Sequence, residues 1–311
     1  MAKLTRLKAR IHTDWHQTID DFLLFKTAQG MAERTMNDYK IHIHRFFDKH
    51  GEPSDYATLE KNIIAYFADA NNLAPDTINI RRKNLYTFFN WCVQEGIIPA
   101  NPVRHIKRRK SEGRIRPIEP EVLKQLLKLP DKTMYSGLRD YALIALSLDT
   151  GIRPHEALEL VASDVNTRRR EVYVRAEIAK TRTSRYLPIS DEVSASLDRL
   201  ISINQAEFKT DLVFCTYTGE RMAVATWGHR LKAYSKGLRT RISPYDLRHA
   251  FAITYLRNGG DAFTLQRIMG HTNMEMTRRY LKFSQSDLHN AHAAASPVAS
   301  LIGKKRIRRL R

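Results

Sequence analysis

Apolar residues recur at three- and four-residue intervals through the first hundred positions of the chain. Trp15, Ile19, Phe22, Leu23 and Phe25 mark one amphipathic segment, and Tyr39, Ile43, Phe46 and Phe47 a second that stops at Gly51. Ile63, Tyr66 and Phe67 mark a third. A fourth runs from about Pro75 to Glu95, with Leu85, Phe88, Phe89 and Cys92 at helical spacing and Gly96 as its stop. Four such segments with short connections predict a small helical bundle over residues 1–103. The pattern then lapses: Asn101-Pro102 breaks the last helix, and residues 104–118 are basic, with almost no apolar periodicity. This stretch reads as a flexible interdomain linker.

Periodicity resumes at Glu119. Helices are expected over Glu119 to Leu129 and Leu138 to Leu148, with Gly151 turning the chain and Pro154 opening a further helix. EVYVRAEI and RYLPIS alternate like two strands, joined by AKTRTS in a hairpin with Lys180 near its tip. Helical spacing returns from Asp191 to Leu200 and around Trp227 to Ser235. Ser243-Pro244 then starts a helix that Gly259-Gly260 stops; a short helix spans Ala262 to Met269, and a third begins near Asn273 and carries Tyr280 two turns in. The expected fold is mainly α with a small β-sheet (α+β), in two domains, the second over residues 119–297. An Ala-rich stretch follows Tyr280, and residues 298–311 form a basic tail with an apolar start at Val298, Leu301 and Ile302.

Composition names the partner class. Lys and Arg total 52 against 33 acidic residues, a net charge of +19 and a pI near 10.0, which points to a polyanion. No apolar run approaches a membrane span and no signal peptide begins the chain, so a membrane partner is not expected and a cytoplasmic location is. Cys92 and Cys215 lie far apart and suggest neither a disulfide framework nor a zinc site. His42 and His44 read as surface residues. Arg81, Arg82 and Lys83 on the fourth helix, and Lys107, Arg108, Arg109 and Lys110 in the linker, are the candidates for contact with DNA phosphates; solvated charge is the competing reading.

Chemistry gathers near the C-terminus. Tyr245, Arg248 and His249 stand at i, i+3 and i+4 and share a helix face, His271 sits on the turn after Gly270, and Tyr280 follows. Upstream, Arg153 precedes a helix start, where a guanidinium and helix N–H groups can hold a phosphate together, and Glu156 lies in that helix's first turn. Any one of these residues alone reads as ordinary surface; the grouping is what needs explaining.

Arg153-x-x-Glu156, Lys180 followed by RYLPI, then DLRH, LQRIMGH and T-x-x-Tyr280, in this order, resemble the tyrosine recombinase, or phage integrase, family. The match covers essentially the whole chain and looks like the compact XerC/XerD-like or transposon-type architecture. The resemblance implies a helical core-binding (SAM-like) domain and a catalytic domain closing as a C-shaped clamp around DNA. It makes Tyr280 the nucleophile, Arg153 and Arg248 the grip on the scissile phosphate, Lys180 the general acid, and His249 and His271 supporting groups. It implies a 3′-phosphotyrosine intermediate and a Holliday junction, made by a homotetramer on two duplexes of a specific double-stranded site. Accessory proteins are compatible with it, and no metal or other cofactor is required. In relatives a terminal helix docks on the neighbouring protomer, a role that would fall to Val298, Leu301 and Ile302.

The chemistry fits independently. A covalent enzyme–phosphate bond conserves the phosphodiester energy, and a phenol of ordinary pKa about 10 is both nucleophile and leaving group. One departure stands out: Tyr245 occupies the position where the family has His or Lys. Tyrosine can hydrogen-bond to phosphate but is no cation, so proton transfer there is expected to be weakened or moved to His249. A DNA-binding regulator without catalysis and a type IB topoisomerase-like relaxing enzyme are the competing functions.

Overall fold

The computed structural model describes residues 14–111, 115–238, 240–283, 292 and 296–302. The chain divides into two compact units, Met1–Arg114 and Ile115–Arg311.

The first unit is built from α1 (Trp15–Ala28), α2 (Glu33–His50), α3 (Tyr56–Asp69) and α4 (Pro75–Gln94). Local chemistry sets the ends. Asp14 accepts from the backbone N–H groups of His16 and Gln17, Asp55 accepts from that of Thr58, and Pro75 opens α4. Inside is an aromatic core, with Trp15 on Phe47 at 5.0 Å and Phe22 edge-on to Phe88 at 5.3 Å. Phe25 is the exception to the predicted stripe, turning outward beside Trp91. His42 and His44 are half-buried rather than on the surface, and burial is the largest cause lowering the His42 pKa.

The expected free linker is, over residues 104–111, fastened to this unit. Asn79 and Arg109 exchange side-chain and backbone hydrogen bonds at 2.8 and 2.9 Å, Arg82 donates to the Ile106 carbonyl, and Arg104 reaches the Tyr56 hydroxyl and Glu60. A basic run without apolar period carries no sign of such pairing, because the partners lie some 25 to 50 residues upstream.

The second unit is laid around α6 (Tyr135–Thr150), whose Leu138, Ala142, Leu143, Ile144 and Leu146 are all buried. Against it lie α5 (Pro120–Lys128), α8 (Asp191–Ile203) and α10 (Pro244–Arg257). The glycine that ends α6 is required twice over. Gly151 adopts φ 61°, and a Cβ there would come within 2.3 Å of the Phe251 ring. The sheet is antiparallel in the order β1 (Val165–Asn166), β2 (Glu171–Val174), β3 (Arg185–Pro188). Its strands are shorter than the alternation suggested, so residues 175–184 form a loop rather than a tight hairpin, and the two-residue β1 was not expected. Val172 and Val174 on β2 and Leu187 on β3 face the core.

Further α-helices among the described residues are α7 (Pro154–Leu158), α9 (Val224–Ser235), α11 (Ala262–Met269), α12 (Met274–Leu281) and α13 (Pro297–Ile302). The Ala-rich stretch after Tyr280 falls largely outside the described residues.

Candidate active site

Four local features converge in the second unit: the start of α7, the face of α10, the turn after α11 and the last turn of α12. Arg153 is the N-cap residue of α7 and is 8% exposed. Three residues on, the buried Glu156 carboxylate accepts from the Arg153 backbone N–H at 3.2 Å and from Arg153 Nη1 at 2.8 Å. The second nitrogen of that guanidinium donates to the Gly270 carbonyl at 2.8 Å.

On α10, Ser243 does not cap as a hydroxyl acceptor. Its Oγ and backbone N–H both donate to the Asp246 carboxylate, at 2.6 and 2.8 Å. Asp246 thereby satisfies an otherwise orphaned donor at the helix start. Arg248, one turn in, is buried and donates to the Gly151 carbonyl, to the Met269 carbonyl at 2.8 Å and to His271 Nε2 at 3.1 Å. Burial first, then the charge of Arg153, lowers its pKa.

An arginine cannot accept a hydrogen bond, so His271 Nε2 is the acceptor and Nδ1 carries the proton, 2.9 Å from Thr277 Oγ1. Burial, followed by the nearby guanidiniums, pushes the His271 pKa down to about 3, so the ring is neutral. The fit of Thr277 four residues before the end of α12 fixes the ring plane, which lies 5° from that of Tyr280.

Tyr280 is 4% exposed, and its hydroxyl lies 2.8 Å from His249 Nδ1. Burial raises the phenol pKa, opposed by Arg248, Arg279 and Arg153, and burial also lowers that of His249. Both groups are therefore neutral near pH 7, and the imidazole can take the phenol's proton. Around them Arg153 and Arg185 share one carboxylate, Glu156, while Arg248 donates to two carbonyls and His271; three cations less one anion leave two positive charges among these described residues. Such a site is charged to receive an anion that gains negative charge as it reacts.

The description "Phage integrase family" matches residues 116–286, and "Phage integrase, N-terminal SAM-like domain" matches residues 19–98. The chain belongs to the phage integrase family. Among relatives of this integrase, "Tyrosine recombinase XerD" of Listeria innocua serovar 6a is 26% identical over 300 residues, covering 90% of this chain and 99% of the relative. The Pseudomonas aeruginosa protein of the same description is 28% identical over 296 residues, covering 91% and 98%. Among solved structures, the Tn1549 transposon integrase in complex with circular intermediate DNA superposes with a TM-score of 0.70 at 20% identity, over 89% of this chain and 97% of that one. A lambda integrase tetramer bound to a Holliday junction does so with a TM-score of 0.69 at 18% identity, over 84% and 78%. These structures share the integrase fold.

The structure brings Arg153, Arg248, His249, His271 and Tyr280 together: Arg248 bonds to His271 and His249 to Tyr280, the His271 and Tyr280 rings stack at 6.3 Å, and Arg153 bonds to the Gly270 carbonyl beside His271. Two residues of the expected set stay out of this group. Lys180 is exposed in the loop between β2 and β3, with no hydrogen bond to it among the described residues. Tyr245 is 51% exposed at the start of α10 and outside the network. Of the basic candidates on the first unit, Arg82 and Arg109 are committed to Ile106 and Asn71, and Arg81 lies over the Tyr66 ring. Lys83, Lys107, Arg108 and Lys110 are exposed. On α13, Val298 and Leu301 are exposed, at 60% and 83%.

Sequence reasoning placed Glu156 at a helix start and in the Arg153-x-x-Glu156 signature without giving it a role, and passed over Arg185. A signal existed for the latter: Arg185 lies two residues before Leu187 on a strand, so it shares the inward face, where a charge calls for an explanation.

Proposed function

We propose that this integrase cuts and rejoins specific double-stranded DNA through a 3′-phosphotyrosine bond on Tyr280. Family membership already makes the chain a tyrosine site-specific recombinase; the roles of its residues are the substance of the proposal. The observation that carries it is the buried Tyr280 phenol held by His249 beside the Arg248–His271 pair.

In the proposed step the Tyr280 oxygen attacks phosphorus as its proton passes to His249 Nδ1. The bond to the 5′-oxygen breaks, and that oxygen takes a proton from Lys180 once DNA draws the loop in. Arg153 and Arg248 stabilise the non-bridging oxygens, and His271, accepting from Arg248 through Nε2, holds that guanidinium in place. Two uncompensated positive charges match the charge that builds on a phosphodiester under attack. Tyr245, exposed beside this group, offers its hydroxyl to a phosphate without transferring a proton. Religation is the same step reversed, which needs neither a metal nor an energy-rich cofactor.

On DNA the reading places four copies on two duplexes with a Holliday junction between them, α13 of one copy docking on the next through Val298 and Leu301. Lys83, Lys107, Arg108 and Lys110 meet the DNA backbone. The location is the cytoplasm, on DNA; no helix among the described residues is long and apolar enough to cross a membrane.

The test begins with a site enriched from a random-sequence duplex pool. A nicked duplex carrying it should yield a protein–DNA adduct stable to SDS with the wild-type chain and none with Tyr280→Phe. Equal adduct from both would move the nucleophile elsewhere, and none from either would end the proposal.

A further inference from the structure

Arg185 is among the most tightly held charges in the second unit. It opens β3 opposite Val174, on the inward face of the sheet, and its side chain is 9% exposed. One edge of the guanidinium takes both oxygens of Glu156, at 2.5 and 3.3 Å, while Nε donates to the Ile268 carbonyl at 2.9 Å.

Two consequences follow from these bonds. Glu156 is shared: Arg153 holds the same carboxylate, so Arg185 determines how much of that negative charge Arg153 must neutralise alone. The end of α11 is shared as well. Its carbonyls at Ile268, Met269 and Gly270 accept in turn from Arg185, Arg248 and Arg153, three successive carbonyls on three guanidiniums. Gly270, in the left-handed region at φ 61°, lies so close that a Cβ there would sit 3.3 Å from the Arg185 side chain. His271 leaves this turn next and points back at Arg248.

We propose that Arg185 is a positioning residue of the cleavage site, holding Glu156 and the end of α11 so that Arg153 and the Arg248 guanidinium held by His271 meet the scissile phosphate in a fixed frame. The role rests on the reaction proposed above. Without Arg185 the carboxylate turns wholly to Arg153 and the Ile268 carbonyl loses its partner. The two guanidiniums that face the phosphate then shift together, and a displacement of this order costs a bound substrate reactivity rather than affinity.

The experiment compares the wild-type chain with Arg185→Gln, Arg185→Lys, Glu156→Gln and the Gln/Gln double variant on the nicked duplex. It measures Kd by gel shift and the adduct-forming rate at saturating protein. Arg185→Gln is expected to keep Kd within about threefold while the rate falls by roughly 10- to 100-fold, with Arg185→Lys recovering part of it. The double variant should lose less than the product of the two single losses, because the pair acts as one unit. If Arg185→Gln does not fold, Arg185→Lys decides alone: a slower rate at unchanged Kd supports the role. A wild-type rate in the Arg185 variants overturns it, as does an equal fall in rate and affinity. A wild-type chain that forms no adduct sinks the reaction and this role together, whereas a wild-type adduct with unimpaired variants sinks this role alone.

Discussion

At the scale of single residues, two tyrosines within reach of one reaction differ in what surrounds them. Tyr280 is buried against His249 and Tyr245 stands 51% exposed, so the hydroxyls should not be equivalent. Tyr245→Phe is expected to slow adduct formation by no more than about threefold, the worth of one exposed hydrogen bond. A loss as large as that of Tyr280→Phe would refute the assignment. His271 makes a second prediction. Its folded pKa of about 3 lies below the unfolded value near 6.5, so between these values the unfolded chain binds the extra proton. The stability tied to the neutral ring is complete above pH 6.5 and is lost as pH falls towards 3, at up to about 1.4 kcal/mol per pH unit. Thermal unfolding of wild type and His271→Gln over that range should show the slope reduced by this one proton in the variant.

At the scale of elements, the helices were legible and the contacts between them were not. The start of α10, the left-handed Gly270 and the N-cap Asn273 are written in neighbouring letters, which is why the three helices around Tyr280 emerge from the sequence alone. The spacing of Tyr245, Arg248 and His249 gave their common face but not their depth. Depth depends on the ends of α6 and α11, where the Gly151 and Met269 carbonyls take the buried Arg248, while Tyr245 is left out. Arg185 and the fastening of residues 104–111 escaped for the same reason, since each is defined by partners distant along the chain. Gly151 shows local and distant constraints at one position. Gly151→Ala combines an unfavourable φ with a collision against Phe251, and denaturant unfolding should register a loss of roughly 2–4 kcal/mol. An unchanged midpoint would mean that the Phe251 ring can move aside without cost.

At the scale of the whole molecule, charge and chemistry are separable. A net charge of +19 predicts DNA affinity that falls steeply with salt, because each neutralised phosphate releases counterions. Exposed Lys83, Lys107, Arg108 and Lys110 each changed to Ala should reduce the slope of log affinity against log salt by about one, without altering the adduct rate at saturation. Arg82 and Arg109 are occupied within the first unit, so their removal should lower the thermal midpoint instead.

The three carbonyls that close α11 also bear on the small anions any cell contains. Inorganic phosphate and sulfate carry the charge and the oxygens that Arg153 and Arg248 favour, at concentrations far above that of any single DNA site. In this chain those guanidiniums already donate to Met269 and Gly270. Each guanidinium has five N–H donors, so groups remain to take a phosphate oxygen, and a duplex adds the rest of its backbone to hold it there. The helix end thus sets the orientation of both guanidiniums before any phosphate arrives, so the reacting group meets donors that need not reorganise.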